Sequence, residues 1–150
     1  CQIETDTEML IPTEYVKSIN ERLALYTELN DVKTEVEIEA YSQRLKDRFG
    51  EVPAPILELY EAIRLKWVAK KLGIERIILK NKLMKCYFIQ NQESIFFFFF
   101  VFDKILAYIA AYPVNSAMKQ TGSYLILEFK HIENTHEGRR KLEHIISYKP

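Results

Sequence analysis

The residue types that most often perform chemistry are few in this sequence, and their spacing matches no catalytic or metal-binding motif. The three histidines, His131, His136 and His144, lack the His-Glu-x-x-His pair of a zinc protease. The two cysteines, Cys1 and Cys86, form no Cys-x-x-Cys motif. No glycine-rich loop ends in Lys-Ser or Lys-Thr, the motif that cradles nucleotide phosphates. We therefore expect no catalytic residue, no metal site and no cofactor in this chain.

A cluster of basic residues between positions 64 and 85 is the strongest candidate for a binding surface on charge alone. Such a cluster can follow a phosphate backbone. A solvated helix end followed by the polar side of a hairpin explains the same pattern, and we favour this simpler interpretation. The cluster predicts, as an alternative function, a nucleic-acid-binding module. Its patch would consist of Lys70, Lys71, Lys80, Lys82 and Lys85.

Two helices joined by a sharp corner are predicted in the first half of the chain, and they would position any binding surface there. Thr34 and Glu37 form a capping-box pattern that predicts the start of the first helix. Apolar residues then recur at helical spacing as far as Phe49. Gly50 predicts the end of this helix, because glycine adopts a left-handed cap without a steric penalty. A second, broadly apolar helix follows and ends at Gly73.

The rest of the chain alternates between hairpin and helix patterns. The further predicted elements are a helix opened by Ser18, a hairpin around Asn81-Lys82, a helix ending near Ala111, a hairpin around Gly122-Ser123 and a helix opened by Asn134. Because hairpins rather than crossovers link the strands, the sheet is predicted to be antiparallel. The fold class is therefore α+β: three helices, then a hairpin, a helix, a hairpin and a helix around an antiparallel sheet.

Length and composition indicate one globular domain. A chain of 150 residues buries roughly 68–70% of its surface on folding, and 48% hydrophobic with 28% charged residues is a globular composition. We interpret residues 1–17 as a lead-in segment and residues 18–150 as a single domain. Because the chain starts at Cys1 without a signal or transit segment, we expect a domain excised from a longer polypeptide.

Charge and cysteine content narrow the environment. Residues 1–62 hold 14 Asp+Glu and 6 Lys+Arg, a net charge of −8, whereas residues 63–150 hold 7 and 15, a net charge of +8. This asymmetry indicates either an interaction surface or two faces that neutralise each other. Two cysteines form no disulfide framework, which favours a cytoplasmic location. No apolar run reaches the roughly 20 residues of a membrane helix, so we expect no membrane association.

The run Ile95–Phe102, with five consecutive phenylalanines, is the most unusual segment. Such a run is typical of a buried strand, a partner-binding patch or an aggregation-prone segment. Beyond it, the apolar spacing predicts a helix from Phe102. The sequence assigns no role to Phe96–Phe100.

One stretch resembles a known family. Its matching residues are Asp47-Arg48-Phe49-Gly50-x-Val52-Pro53, Leu59, Arg64-Leu65-Lys66, Ala69 and Lys71-Leu72-Gly73-Ile74, with Ile11-Pro12, Tyr15-Val16, Glu21-Arg22-Leu23 and Leu25-Tyr26 upstream. This pattern resembles the carboxy-terminal domain of bacterial transcription-repair coupling factors, and the similarity covers most of residues 11–90. In that family we would expect a less apolar segment where Phe96–Phe100 stands.

The resemblance implies a regulatory rather than catalytic domain. The parent proteins of this family are ATP-dependent DNA translocases of the helicase superfamily, with ATP and Mg bound in the motor domains. They remove stalled RNA polymerase from DNA and recruit nucleotide excision repair. The carboxy-terminal domain docks in cis on the amino-terminal module and hides the surface for the damage-recognition ATPase of excision repair. The resemblance therefore implies an autoinhibitory protein-interaction domain without cofactor.

The resemblance also implies where docking occurs. The family's docking surface includes acidic residues just before the Arg-Phe-Gly corner, and Asp47 matches one of them. Arg44 stands where the family often has a glutamate, a departure from the pattern. We expect Asp47, with Arg44 and Arg48 beside it, to form the protein interface through pairing with arginines of the partner module. Alternatively, Asp47 is a surface residue that pairs with Arg44 three positions back.

Overall fold

The structure, a computed structural model, describes residues 1–88, 95–122 and 124–149. Its elements are β1 (Gln2–Thr5), α1 (Ile19–Asn30), α2 (Glu35–Phe49), α3 (Ala54–Lys71), β2 (Ile74–Lys80), β3 (Leu83–Phe88), α4 (Ile95–Ala111), β4 (Ser116–Thr121), β5 (Tyr124–Lys130) and α5 (Thr135–Ser147). This order confirms the predicted α+β class with its three helices, hairpin, helix, hairpin and helix. The chain divides into two compact units, and the boundary falls inside α3.

The helical unit, Thr7–Ile63, contains α1, α2 and the first part of α3. Its helix starts follow the predicted capping patterns. The Glu21 N–H donates to Ser18 Oγ at 3.3 Å, and the Glu37 N–H donates to Thr34 Oγ1 at 3.2 Å. The Glu37 carboxylate in turn accepts from the Lys33 N–H at 2.9 Å, one residue before the cap. The Glu37 carboxylate thus bonds the residue before the cap rather than Thr34 itself, and this variant of the capping box fixes the start of α2.

The corner after α2 depends on the backbone freedom of Gly50. Its φ of 93° confirms the predicted positive angle, but its ψ of −166° lies outside the left-handed helical region. This combination is open essentially to glycine alone. A Cβ at Gly50 would meet no atom within 4 Å, so backbone conformation rather than space requires glycine here.

The sheet unit consists of Cys1–Asp6 and Arg64–Pro150. Its strands lie in the order β1-β2-β3-β5-β4, and all described pairs are antiparallel except β1 with β2. The sheet is therefore mixed, because residues 2–5 of the predicted lead-in segment form a parallel edge strand. Asn81 and Lys82 have φ of 54° and 62°, which matches the two-residue hairpin turn predicted between β2 and β3.

One face of the sheet carries the core of this unit. Inward side chains of β2, β3 and β5 pack with residues of α3, α4 and α5 in one buried cluster. Cys86 lies at its centre with no exposed surface, and burial raises the pKa of its thiol above the ordinary 9.0. Gly138 allows α5 to approach the sheet closely, since a Cβ there would lie 2.8 Å from Met84 Sδ.

Helix α4 removes the buried strand from the three alternatives for the phenylalanine run and leaves the other two untested. Helix α4 begins at Ile95, so the backbone of residues 95–100 is helical. The side chains of Phe96–Phe100 lie outside the described part of the structure. The buried positions of α4 include Val101, Ile105 and Tyr108, whereas Leu106 is 42% exposed. The helix was predicted to begin at Phe102, but it begins at Ile95, and its buried positions follow the helical spacing of Val101, Ile105 and Tyr108.

Candidate functional site

The predicted interface residues lie together near the carboxyl end of α2, in the helical unit. Gln43, Arg44, Asp47 and Arg48 are all exposed. Because residues three and four apart are neighbours on a helix, they form one surface, called the α2 surface below. Beside it is a shallow cavity of about 80 Å³. The cavity is lined by Leu25, Glu28, Tyr41, Arg44, Leu45 and Arg48.

Tyr15 supports the end of α2 from the preceding loop. Its hydroxyl has one proton to donate and lies 2.7 Å from the Gly50 carbonyl oxygen, the nearer acceptor, and 3.1 Å from that of Leu45. Its ring packs against Phe49 with the centroids 5.6 Å apart. Burial, followed by the nearby Tyr60 and Glu51, raises the pKa of Tyr15 above its ordinary value. These contacts hold the loop that carries Tyr15 against the carboxyl end of α2 and the corner that follows it.

Tyr41 connects α2 to α1 from within the core. It is 1% exposed, and its hydroxyl donates to the Leu25 carbonyl oxygen at 3.0 Å. Its ring meets Tyr60 edge to face, with the centroids 6.1 Å apart. Burial, more than the neighbouring groups, raises the pKa of Tyr41 well above its ordinary value. The hydroxyl thus stays protonated and holds the two helices in register.

The two arginines of the α2 surface pair with glutamates on α1. Arg44 forms an ion pair with Glu28, and Arg48 Nη2 lies 3.3 Å from Glu21 Oε1. Asp47 accepts a hydrogen bond from Gln43 Nε2 at 2.9 Å. The structure therefore gives Arg44 and Asp47 other partners than the alternative Arg44–Asp47 pair.

In these contacts both arginines of the α2 surface have an oppositely charged partner, whereas Asp47 has none. Asp47 also lies in the last turn of α2 between Lys46 and Arg48. The carboxyl end of a helix carries a partial negative charge, so an acid there costs a few tenths of a kcal/mol. The Gln43–Asp47 hydrogen bond, between residues four apart on α2, offsets part of this cost. Arg44 and Arg48, by contrast, connect α2 to α1.

The five lysines of the alternative patch lie on several elements of the sheet unit. Lys70 and Lys71 are exposed in the last turn of α3. Lys80 lies 3.8 Å from Glu4, and Lys82, in the hairpin turn, lies 3.5 Å from Glu133. Lys85 lies opposite Ile78 in the pairing of β3 with β2, and Ile78 is two residues from Lys80 on β2. Lys85 and Lys80 therefore lie on the same side of the sheet.

That side of the sheet, called the polar face below, brings together residues that no linear motif indicates. Its central row is Arg76, Tyr87, Ile126 and Lys119, in register across β2, β3, β5 and β4. Tyr87 meets Tyr124 edge to face, with the centroids 5.9 Å apart. Neither tyrosine was predicted as a site residue. In the sequence, Leu83, Lys85 and Tyr87 occupy every second position of a predicted strand and therefore share a face. This spacing does not show which strand pairs with β3.

The described residues assemble no group of three His, Cys, Asp or Glu side chains that could hold a metal.

A cleft of about 740 Å³ lies along α5 and is lined by residues of mixed charge that include Lys130, His131, Glu137 and His144. His136 and His144 are exposed on α5. In the described ranges, no helix is both long enough and apolar enough to cross a membrane.

Residues 5–97 match the family model described as TRCF domain. The chain belongs to the TRCF-domain family. Its α2 surface and corner both lie inside the matched range. The resemblance of the Asp47–Pro53 stretch to transcription-repair coupling factors is thereby confirmed at the level of the family.

Curated relatives of this TRCF domain carry the name transcription-repair-coupling factor. The Escherichia coli (strain K12) protein is 36% identical over 76 residues, which cover 51% of this chain and 7% of that protein. The Rickettsia bellii protein is 24% identical over 126 residues, which cover 84% of this chain and 11% of that protein. The TRCF domain thus spans about a tenth of the length of these relatives.

A solved structure shows the same fold. The crystal structure of the C-terminal domain of transcription-repair coupling factor aligns with 95% of this chain and 92% of its own, with a TM-score of 0.67 and 17% identity. At this identity the match defines the architecture, and the roles of individual residues require separate arguments.

Proposed function

We propose that this TRCF domain is a regulatory protein-interaction domain of a transcription-repair coupling factor. In this proposal it has no catalytic activity and binds no cofactor, while the parent protein is an ATP-dependent DNA translocase with ATP and Mg in its motor domains. The parent removes stalled RNA polymerase from DNA and recruits nucleotide excision repair. The domain docks in cis on the amino-terminal module and hides the surface for the damage-recognition ATPase.

The observation that carries the proposal is the position of Asp47. It is exposed, it lies where the helix dipole disfavours an anion, and its arginine neighbours are paired elsewhere. An exposed acid without a cationic partner is available to a cation of another molecule, and an arginine of a partner module is the expected one.

The surroundings of Asp47 favour a protein partner rather than a nucleic acid. The helical unit contains 12 Asp+Glu and 6 Lys+Arg, which leaves a net charge of −6. Such a charge repels phosphates and attracts a basic surface. The tyrosine contacts at both ends of the Leu45–Gly50 segment hold the α2 surface in one arrangement, which lowers the entropy cost of docking.

The test is binding of this chain, supplied in trans, to the amino-terminal module of the parent coupling factor. We expect Asp47→Arg to weaken binding at least about tenfold, which corresponds to about 1.4 kcal/mol. Glu14→Arg is the matched control, because Glu14 is an exposed acid of the same unit outside α2. It makes the same change in net charge and is expected to keep binding within about threefold.

Two outcomes would contradict the proposal. Equal weakening by Asp47→Arg and Glu14→Arg would mean that only overall charge matters. Absence of binding by the unchanged domain, even at low salt, would remove the docking function and leave the family to explain the fold alone.

The alternative function, binding of duplex DNA through Lys70, Lys71, Lys80, Lys82 and Lys85, has a separate test. A titration with duplex DNA should show salt-sensitive binding that is lost when Lys80, Lys82 and Lys85 are changed to glutamate. The ion pairs of Lys80 with Glu4 and of Lys82 with Glu133 reduce the charge available to phosphates.

A further inference from the structure

We infer that the polar face of the sheet is a platform for single-stranded nucleic acid, on which Tyr87 and Tyr124 stack unpaired bases and neighbouring cations hold the phosphates. This inference goes beyond docking through the α2 surface and uses different residues. It also differs from the duplex-binding alternative, because the ligand is single-stranded and aromatic rings carry the recognition.

The geometry of the two tyrosines is the first observation. Tyr87 on β3 and Tyr124 on β5 project from the same side of adjacent antiparallel strands. Tyr124 is 44% exposed, although tyrosine rings usually find apolar cover. Arg76 lies 5.5 Å from the centroid of the Tyr87 ring and extends the row to β2. A guanidinium over the Tyr87 ring, and a second ring at 83° to the first, thus lie together on three neighbouring strands.

The core lies on the opposite side of the sheet. The buried cluster uses Ile77, Met84, Leu127 and the other inward residues with α3, α4 and α5. On the polar face, by contrast, the side chains of Arg76, Lys80 and Lys119 are 43%, 50% and 59% exposed. The alternation of the strands therefore separates a packing face from a face with accessible charges and rings.

The charge of the polar face suits phosphates. It carries Arg76, Lys80, Lys85, Lys119 and Lys130 against two acids, Glu4 and Glu128, which leaves a net charge of +3. Glu4 pairs with Arg76 at 2.9 Å and with Lys80 at 3.8 Å, so Lys85 and Lys130 carry most of the charge available to phosphates. Lys119 Nζ lies 2.9 Å from Glu128 Oε2, and that carboxylate is 10% exposed, so it is shielded from a ligand. The sheet unit as a whole has 15 Lys+Arg and 9 Asp+Glu, a net charge of +6. A polyanion is the complementary partner.

The combination selects single strands over duplexes. Every base has a π face, and stacking on tyrosine requires that the base be free of its own stack. The RRM module, for example, stacks two or three unpaired bases on aromatic residues of a four-stranded sheet. In a duplex the bases lie inside the helix, so only the cations of this face would contribute to binding.

The test is fluorescence anisotropy of the whole chain with a labelled oligothymidylate of about 15 nucleotides. We expect saturable binding that weakens between about 50 mM and about 200 mM salt. A duplex of the same length should bind at least about tenfold more weakly, because its bases are not free to stack. An oligouridylate of equal length compares RNA with DNA, and binding of either one supports the platform.

The variants separate stacking from folding. Tyr87→Ala and Tyr124→Ala should each weaken binding about five- to hundredfold, whereas Tyr87→Phe and Tyr124→Phe should stay within about twofold. Tyr112→Ala is the control, because Tyr112 is 46% exposed directly after α4 and lies outside the polar face. Asp47→Arg should leave oligonucleotide binding unchanged or slightly tighter, which keeps this test independent of the docking proposal.

Three results would overturn the inference. The first is absence of binding to either single strand at low salt. The second is a folded Tyr124→Ala variant that binds as tightly as the unchanged chain. The third is preference for the duplex together with loss of binding when Lys70 and Lys71 are changed, which would assign binding to the end of α3.

Discussion

The two units of the domain present opposite charges and build their surfaces in different ways. The helical unit has a net charge of −6 from 12 acids and 6 bases, and the sheet unit has +6 from 9 acids and 15 bases. In the helical unit, ion pairs between α1 and α2 neutralise the arginines and leave Asp47 unbalanced. In the sheet unit, strand register places tyrosines and cations on one face. The helical unit thus forms its candidate surface by neutralising the charges around Asp47, whereas the sheet unit forms its candidate surface through the register of its strands.

Substitutions in the two cores should give the largest effects. Leu127→Ala in the sheet unit and Leu45→Ala in the helical unit, at 0% and 2% exposure, should each cost about 2–5 kcal/mol of unfolding free energy. Hydrogen exchange resolved by segment should rise most in the unit that carries the substitution. Val114→Ala, at 84% exposure, is the control and should change stability by less than about 0.5 kcal/mol. Equal exchange increases in both units would remove the distinction between them.

Gly50→Ala should give the next largest effect, confined to the corner after α2. Its φ of 93° and ψ of −166° are unfavourable for alanine, so we expect a loss of about 1–3 kcal/mol in urea unfolding. Gly122→Asn is the matched comparison in the sheet unit. Its φ of 60° is one that asparagine tolerates, so the loss should be smaller. A Gly50→Ala variant as stable as the unchanged domain would contradict the assigned role of this glycine.

The ion pairs of the two units should differ in strength. Lys119→Met leaves the Glu128 carboxylate, 10% exposed, without its cation and should cost about 1–3 kcal/mol. Arg44→Met removes an exposed pair with Glu28 and should cost about 0.2–1 kcal/mol. Thermal unfolding of both variants gives the comparison. A larger loss for Arg44→Met would show that the α1–α2 contact depends on this pair more than its exposure suggests.

Alkaline pH should give the smallest of these effects. As pH rises, the sheet unit should lose stability before the helical unit does. The raised pKa of the buried Cys86 thiol gives stability that is fully present below its ordinary value of 9.0 and is lost as pH rises above it. At pH 9.5, ionisation of the unfolded thiol should cost on the order of 1 kcal/mol, more than ionisation of a buried tyrosine such as Tyr41, whose ordinary pKa is 10.0. Urea unfolding between pH 8 and 9.5 should show a flatter profile for Cys86→Val. An unchanged profile would contradict this assignment.

Local sequence patterns predicted the elements whose ends depend on neighbouring residues. Ser18, Thr34 and Asn134 cap helices because each needs only a backbone N–H three residues ahead. The turn at Asn81-Lys82 likewise depends on two residues that tolerate positive φ. The strand at residues 2–5 has no such local signal, since its pairing with β2 lies more than 70 residues along the chain.

The candidate sites were predictable to different degrees for the same reason. Asp47 and its arginine neighbours lie within one helix, so their common surface follows from helical spacing. Tyr87 and Tyr124 meet only because β3 pairs with β5, and the sequence does not determine that register. The phenylalanine run lacks polar residues that would distinguish a strand from a helix, so its helical backbone was not predictable from its composition.

The most direct measurement is a crossed binding experiment with one set of proteins. The unchanged domain, Asp47→Arg and Tyr124→Ala would be titrated in parallel with the amino-terminal module and with oligothymidylate. We expect Asp47→Arg to weaken module binding at least about tenfold, or about 1.4 kcal/mol, while oligonucleotide binding stays. Tyr124→Ala should do the reverse. If Asp47→Arg leaves module binding unchanged, or if both substitutions weaken both ligands alike, the assignment of docking to the α2 surface is wrong.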